Sequence, residues 1–198
     1  MTSKVLPVVP IVLGLLLFNV ADARAQSARG EAIDKYSNSL APTVGSPEQA
    51  VERMLQMANL KPGETLYDLG CGDGRILIAA ASRYKVKAVG VEISEHLARR
   101  AAEKVKRAGV QDSVTIVHGD FMRTDLSHAD VVTLYLATTA NESLRPALER
   151  SLRPNSRVIS YDYPIPGWRA INTAETTGHT GDVHVIYQYE VPDSITKK

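Results

Sequence analysis

The chain holds a single cysteine, Cys71, among 198 residues. One thiol cannot close an internal disulfide or build a cysteine-rich zinc site, so neither covalent nor metal staple is open to this fold. Aromatic side chains are few: one Trp, two Phe and eight Tyr. An excess of one charge sign is missing too, since 23 Lys and Arg face 22 Asp and Glu for a formal net charge of +1. That balance lacks the clustered basic surface by which proteins hold nucleic acid, and no nucleic-acid partner is expected. No His, Asp and Glu fall at metal-ligand spacing, so no metal is expected and magnesium-assisted transfer is disfavoured.

Long apolar runs are also scarce, and the one present lies at the start. Lys4 precedes the apolar residues 5–20, and small residues follow in Ala21-Asp22-Ala23 and Ala23-Arg24-Ala25. A positive start, a greasy middle and Ala-x-Ala is the order of a secretory signal peptide. The run is shorter than the roughly 20 residues that span a bilayer, and Pro7 and Pro10 interrupt it. Residues 1–25 are therefore expected to direct export to the periplasm. The alternative is an uncleaved anchor with membrane association through residues 5–20. Residues 26–45 are polar, with Gly30, Pro42 and Gly45, and read as a linker; residues 46–192 form the folded domain and 193–198 a tail.

Within the domain the pattern is regular. Ser46-Pro47-Glu48-Gln49 reads as a helix start with Ser46 as N-cap and Gln49 closing a capping box, and Val51, Met54, Leu55 and Ala58 follow at helical spacing. Strands are expected at residues 65–69, 87–91, 113–117, 130–136 and 157–160, with helices at 75–83, at 94–108, capped by Ser94 and stopped by Gly109, and at 141–152. Pro146 should break or kink the last helix. Residues 176–182 are too short for a parallel crossover, so the final two strands should pair as an antiparallel hairpin. The expected architecture is a three-layer α/β sandwich, a mostly parallel seven-stranded sheet with an antiparallel C-terminal hairpin.

The most informative stretch is Tyr67-Asp68-Leu69-Gly70-Cys71-Gly72-Asp73-Gly74-Arg75. A strand ends at an acid, glycines at every second position make a tight turn, and a helix begins. Such a loop at the end of a first strand is a ligand crevice. The spacing departs from the G-x-G-x-x-G dinucleotide fingerprint, and Asp68 would repel a pyrophosphate. A zwitterion fits better, its carboxylate on the loop's N–H groups and its ammonium near Asp68. The methionine end of S-adenosylmethionine has that form. Glu92, with Ile93 beside it, ends the second strand about twenty residues on, where an acid can bind ribose hydroxyls. Asp120-Phe121 follows the third strand, where a carboxylate can accept from an adenine amine and a ring can stack. The candidate cofactor residues are thus Asp68, Gly70, Cys71, Gly72, Gly74, Glu92, Ile93, Asp120 and Phe121.

These ordered motifs resemble those of the class I S-adenosylmethionine-dependent methyltransferases across residues 46–190. More narrowly, the loop, the strand Val131-Val132-Thr133-Leu134-Tyr135-Leu136 and Arg157-Val158-Ile159-Ser160 resemble the small lysine methyltransferases of mitochondrial inner-membrane proteins and their bacterial relatives. The resemblance implies a Rossmann-like fold, S-adenosyl-L-methionine as cofactor and a protein lysine as acceptor. Where those relatives often carry Gly-Ser-Gly, this chain has Cys71, which reads as a small loop residue rather than a nucleophile. Leu136-Ala137-Thr138-Thr139 replaces the (Asn/Asp/Ser)-Pro-Pro-aromatic motif of enzymes that methylate base amines. Tyr135 and Asp162 are the catalytic candidates, with Tyr161, Tyr163 and Trp168 around them. The histidines at 96, 118, 128, 179 and 184 read as scattered surface or strand residues, with His118 a candidate base only because Asp120 is near. Two alternatives stand beside lysine transfer: a small-molecule O- or N-methyltransferase, and an exported scaffold that keeps the fold without turnover.

Overall fold

The computed structural model describes residues 45–195. The expected leader at residues 1–25, and the linker except for Gly45, lie outside the described residues. Four helices are described: α1 (Glu48–Ala58), α2 (Arg75–Tyr84), α3 (Glu95–Arg107) and α4 (Thr138–Ser151). They alternate with β1 (Thr65–Leu69), β2 (Lys87–Glu92), β3 (Val114–His118), β4 (Val131–Leu134) and β5 (Arg157–Tyr161) before the pair β6 (Asn172–Thr177) and β7 (Val183–Glu190). One sheet runs in the order β3-β2-β1-β4-β5-β7-β6. Its first five strands are parallel and β7 is antiparallel to both β5 and β6, so the expected hairpin is present.

Alternate strand residues feed two apolar layers. Leu66, Val131 and Ile159 pack with Leu55 of α1 and Leu77 of α2. Their neighbours Val132 and Val158 turn the other way, onto Leu144 and Leu148 of α4. A strand's period of two lets a sheet feed both layers in this way, and the strands read as near-continuous apolar runs because both faces are covered. The strand order reverses at β1 and β4, and in open α/β sheets the crevice beyond such a switch point holds the ligand.

Two local expectations fail. Pro47, not Ser46, occupies the N-cap of α1, and no side chain caps it. Ser46 is buried, and its carbonyl instead accepts from Arg75 Nη1 at 2.7 Å, a tertiary tie that the local pattern could not reveal. Of the break or kink expected at Pro146, the break does not occur: α4 begins earlier than expected and runs through the proline to Ser151. Pro146 lies on the exposed face, so water can serve the carbonyl left without its helical partner. At the far end, Ser194 is buried and Ile195 bridges to Trp168, so tertiary contacts continue past residue 192.

Candidate active site

The glycine loop is built by backbone closure. Gly70, Gly72 and Gly74 all have positive φ, at 79°, 54° and 78°. Gly70 N and Cys71 N both donate to Val91 O, Gly72 N donates to Glu92 Oε2 at 2.9 Å, and Gly74 N donates to Cys71 O. Four of the loop amides expected to receive a carboxylate are therefore spent on shaping the loop. The first-turn N–H groups of α2, which no helical carbonyl can reach, remain for an anion. The glycines differ in purpose. A Cβ on Gly72 would meet nothing within 4 Å, so this residue opens onto the crevice. A Cβ on Gly74 would sit 3.4 Å from Ala101 Cβ, so Gly74 serves the packing of the loop on α3.

Cys71 points into the core rather than the crevice, against Leu77 and Gly90. Burial, with the charges of Asp68 and Glu92 adding to it, pushes its thiol well above its ordinary value and leaves it unreactive. Asp68 is buried between β2 and β4, paired with Gly90 and Thr133 in the two ladders. Thr133 Oγ1 donates to its Oδ1 at 2.7 Å. Burial nevertheless pushes the carboxyl up to about 7, with Glu92 and Asp73 raising it further. Asp73 does the opposite. Hydrogen bonds from Arg75 and Lys104 outweigh its partial burial and hold it well below the usual carboxylate range. Arg75 Nε and Nη2 grip it at 2.9 Å each, and Lys104 Nζ reaches it from α3 at 2.6 Å.

At the tip of β2, Glu92 is buried and its two oxygens accept from Gly72 N and Ser94 N, both at 2.9 Å. Each oxygen keeps a second lone pair for a hydroxyl donor. Ile93 beside it is 37% exposed, a free apolar surface at the crevice edge. After β3, Asp120 caps a 3₁₀ turn (Phe121–Arg123) by accepting from Met122 N at 2.9 Å. Phe121 departs from expectation: its ring sits in the core with Leu69, Val91 and Leu126, only 8% exposed. Ile93 offers the open apolar face there. His118 is exposed and its Nε2 faces Ile93 O at 3.1 Å.

Beyond β4 and β5 the structure gathers a tyrosine trio. The ring of Tyr135 lies 4.6 Å from that of Tyr161 and 6.2 Å from that of Tyr163. Burial, then neighbouring charge, pushes the Tyr161 phenol up to about 12 and raises Tyr135 also, so both stay protonated donors near neutrality. Between Tyr161 and Tyr163 the chain makes a γ-turn: Tyr163 N donates to Tyr161 O at 2.9 Å, and Asp162 at its apex has φ 69°. A positive-φ γ-turn is rare and strained. It is held by Asp162 N donating to Val185 O at 2.7 Å, and by buried Asn141 of α4, whose Nδ2 donates to Tyr163 O at 3.0 Å. Trp168 stands apart from the trio. It packs edge-on to Tyr189, with Nε1 donating to Glu149 Oε1 at 2.9 Å. His184 was not expected at the site, yet its Nδ1 lies 2.9 Å from Asp162 Oδ1. Only the antiparallel pairing of β5 with β7 brings these two together.

A glycine cradle open at Gly72, buried acids on β1 and β2 and an apolar rim at Ile93 suit an amino-acid nucleoside. Together with the sheet order they define a class I S-adenosylmethionine-dependent methyltransferase. A model of the ANTKMT methyltransferase domain matches residues 68–172, and the chain belongs to that family. It is 42% identical over 151 residues to a protein-lysine N-methyltransferase of Saccharolobus islandicus (strain REY15A), covering 76% of this chain and 93% of that one. It is 32% identical over 130 residues to the adenine nucleotide translocase lysine N-methyltransferase of Mus musculus, covering 66% of this chain but only 56% of the mouse protein. Among solved structures, it is similar to an RNA methyltransferase from Salinibacter ruber in complex with S-adenosyl-L-homocysteine. The TM-score is 0.73 and the identity 38%, over 78% of this chain and 98% of that one.

Proposed function

We propose that this methyltransferase transfers a methyl group to the side-chain amine of a protein lysine. The observation that carries the reading is the tyrosine trio with Asp162, at the carboxyl ends of β4 and β5 beside the cofactor crevice. The lysine methyltransferases among the relatives support it. S-adenosylmethionine, when bound, supplies an electrophilic methyl on a sulfonium. The acceptor amine must be neutral to attack, yet a free lysine holds its proton to a pKa of about 10.4. An aromatic pocket disfavours the charged amine by desolvation. Asp162 receives the ammonium at the pocket rim, and the amine gives up a proton to solvent as it leaves the rim for the pocket. The Tyr135 phenol oxygen accepts a hydrogen bond from the neutral amine, whose lone pair takes the methyl as the carbon–sulfur bond breaks. Alignment and exclusion of water then contribute most of the acceleration.

On the cofactor side, Glu92 accepts from the ribose hydroxyls, Ile93 packs on the base and Asp120 accepts from its amine. Asp68 faces the methionine ammonium. Gly72 leaves room for the amino acid, while Gly70, Cys71 and Gly74 set the loop's shape and Phe121 supports the base site from beneath.

The description of the Salinibacter ruber neighbour raises a second reading, transfer to RNA, which the near-neutral charge disfavours. Labelling a membrane extract that retains its RNA with tritiated-methyl cofactor separates the two. The full-length protein is expected to place label in methyl-lysine after acid hydrolysis. Label only in nucleotides or small metabolites overturns the reading. From the order of Lys4, the apolar residues 5–20 and the Ala-x-Ala pairs we also infer export, with an uncleaved membrane anchor as the alternative. Mass spectrometry of the mature protein decides: a start at Arg24 or Gln26 supports export, and an intact leader supports the anchor.

A further inference from the structure

His184 is the second residue of β7, at the active-site end of the sheet. Its two ring nitrogens face two carboxylates. Nδ1 lies 2.9 Å from Asp162 Oδ1, an ion-pair distance, and Nε2 contacts Asp182 Oδ2. A neutral ring would point a lone pair at one of these anions, so the imidazolium is the form that fits. Partial burial favours the neutral ring, but the two carboxylates outweigh it and raise the pKa above the ordinary histidine value.

The cluster is closely built. The ring of Tyr161 lies 5.4 Å from the imidazole, closing it from β5. Thr180 Oγ1 donates to Asp182 on its far side. Gly178 N donates to Asp182 O at 2.7 Å, and a Cβ on Gly178 would come within 2.4 Å of His184 Nε2, so only glycine lets the ring lie this close. The groups facing the imidazole are thus Asp162 from the β5 loop, Asp182 and Gly178 from the β6–β7 turn, and the Tyr161 ring.

We propose that His184 is a positioning residue of the acceptor site: clamped between Asp162 and Asp182, it fixes the Asp162 carboxylate at the rim of the tyrosine trio, where the lysine ammonium is received. The proposal rests on the lysine reading above. Two carboxylates and one imidazolium leave the rim with one net negative charge, matched to an incoming cation. The same clamp ties the β6–β7 turn to the strained γ-turn at Asp162, so the rim keeps its shape before the acceptor arrives. Such fixing matters because small misplacements of a reacting group cost large factors in rate.

The test uses full-length protein, tritiated-methyl cofactor and the same membrane extract at graded concentrations. For His184→Ala, the half-saturating extract concentration is expected to rise about tenfold or more. Cofactor affinity by calorimetry should stay within about twofold of wild type, because the clamp does not touch the glycine loop. Gly178→Ala, which displaces the ring while keeping every charged group, should reproduce the effect in smaller measure and covers the case in which His184→Ala fails to fold. Lysine labelling by folded His184→Ala or Gly178→Ala at wild-type half-saturation overturns the proposal, as does equal loss of cofactor affinity in both. Wild-type enzyme that labels no lysine overturns the lysine reading and the clamp with it. It is told apart from failure of the clamp alone, in which wild type and variant label lysine equally.

Discussion

Asp68 lies beside the glycine loop with its carboxyl pushed up to about 7 by burial, so near neutrality much of the ligand-free protein carries it protonated. A methionine ammonium alongside would favour the carboxylate, and cofactor binding should therefore release a proton. Affinity for S-adenosylmethionine is expected to rise as pH climbs from 6 to 8; calorimetry in two buffers of different ionisation heat checks both the trend and the proton release. Flat affinity across that range would contradict the assignment. The stability consequence has the opposite sign. The folded pKa lies above the unfolded value of about 3.9, so the group's contribution is fully present below about pH 4 and is lost as pH rises through about 7. Asp68→Asn removes the buried charge. At pH 8 it should exceed wild type in stability by roughly 1–4 kcal/mol in urea unfolding while losing cofactor affinity. Gly72→Val separates the two properties differently. Its side chain would enter open crevice space at φ 54°, so binding should fall by about a hundredfold or more. The fold should bear only the strain of a left-handed residue, about 1–2 kcal/mol. Normal affinity in this variant would mean that the crevice lies elsewhere.

Individual elements were legible in proportion to how local their causes are. Glycines at every second position after β1, Ser94 before α3 and Gly109 after it are punctuation read from neighbouring residues. The structure keeps them: Ser94 Oγ accepts from Leu97 N at 3.4 Å, and Gly109 has φ 70°. Ser46 and Pro146 misled because their outcomes depend on distant partners, the Arg75 guanidinium in one case and the solvent-facing orientation of α4 in the other. Pro146 costs its helix a hydrogen bond and a clean fit without contributing to the core. Pro146→Ala is therefore expected to stabilise the protein by about 1–2 kcal/mol, the helix gain being offset in part by a freer unfolded chain. Urea midpoints measure it, and a destabilised variant would show that the proline has a tertiary role.

At the scale of the molecule, the layer order followed from alternating strands and helices, and Asp68, Glu92 and Asp120 stand at or just beyond the ends of β1, β2 and β3, as the sequence pattern has them. What the sequence hid is pairing across the sheet and between loops. Asp162 and His184 become neighbours only through the β5–β7 ladder. Lys104 reaches Asp73 only because α3 packs on the glycine loop through Gly74 and Ala101. Phe121 reads as a free ring in sequence because nothing local says which side of the 3₁₀ turn meets Leu69 and Val91. The central claim is nonetheless simple: one crevice at the ends of β1, β2 and β3 holds the whole cofactor. A crystal structure of the full-length protein with S-adenosyl-L-homocysteine tests it most directly. The ribose hydroxyls should lie on the Glu92 carboxylate, the base against Ile93 and the amino-acid end beside Gly72. A nucleoside bound anywhere else would contradict the account.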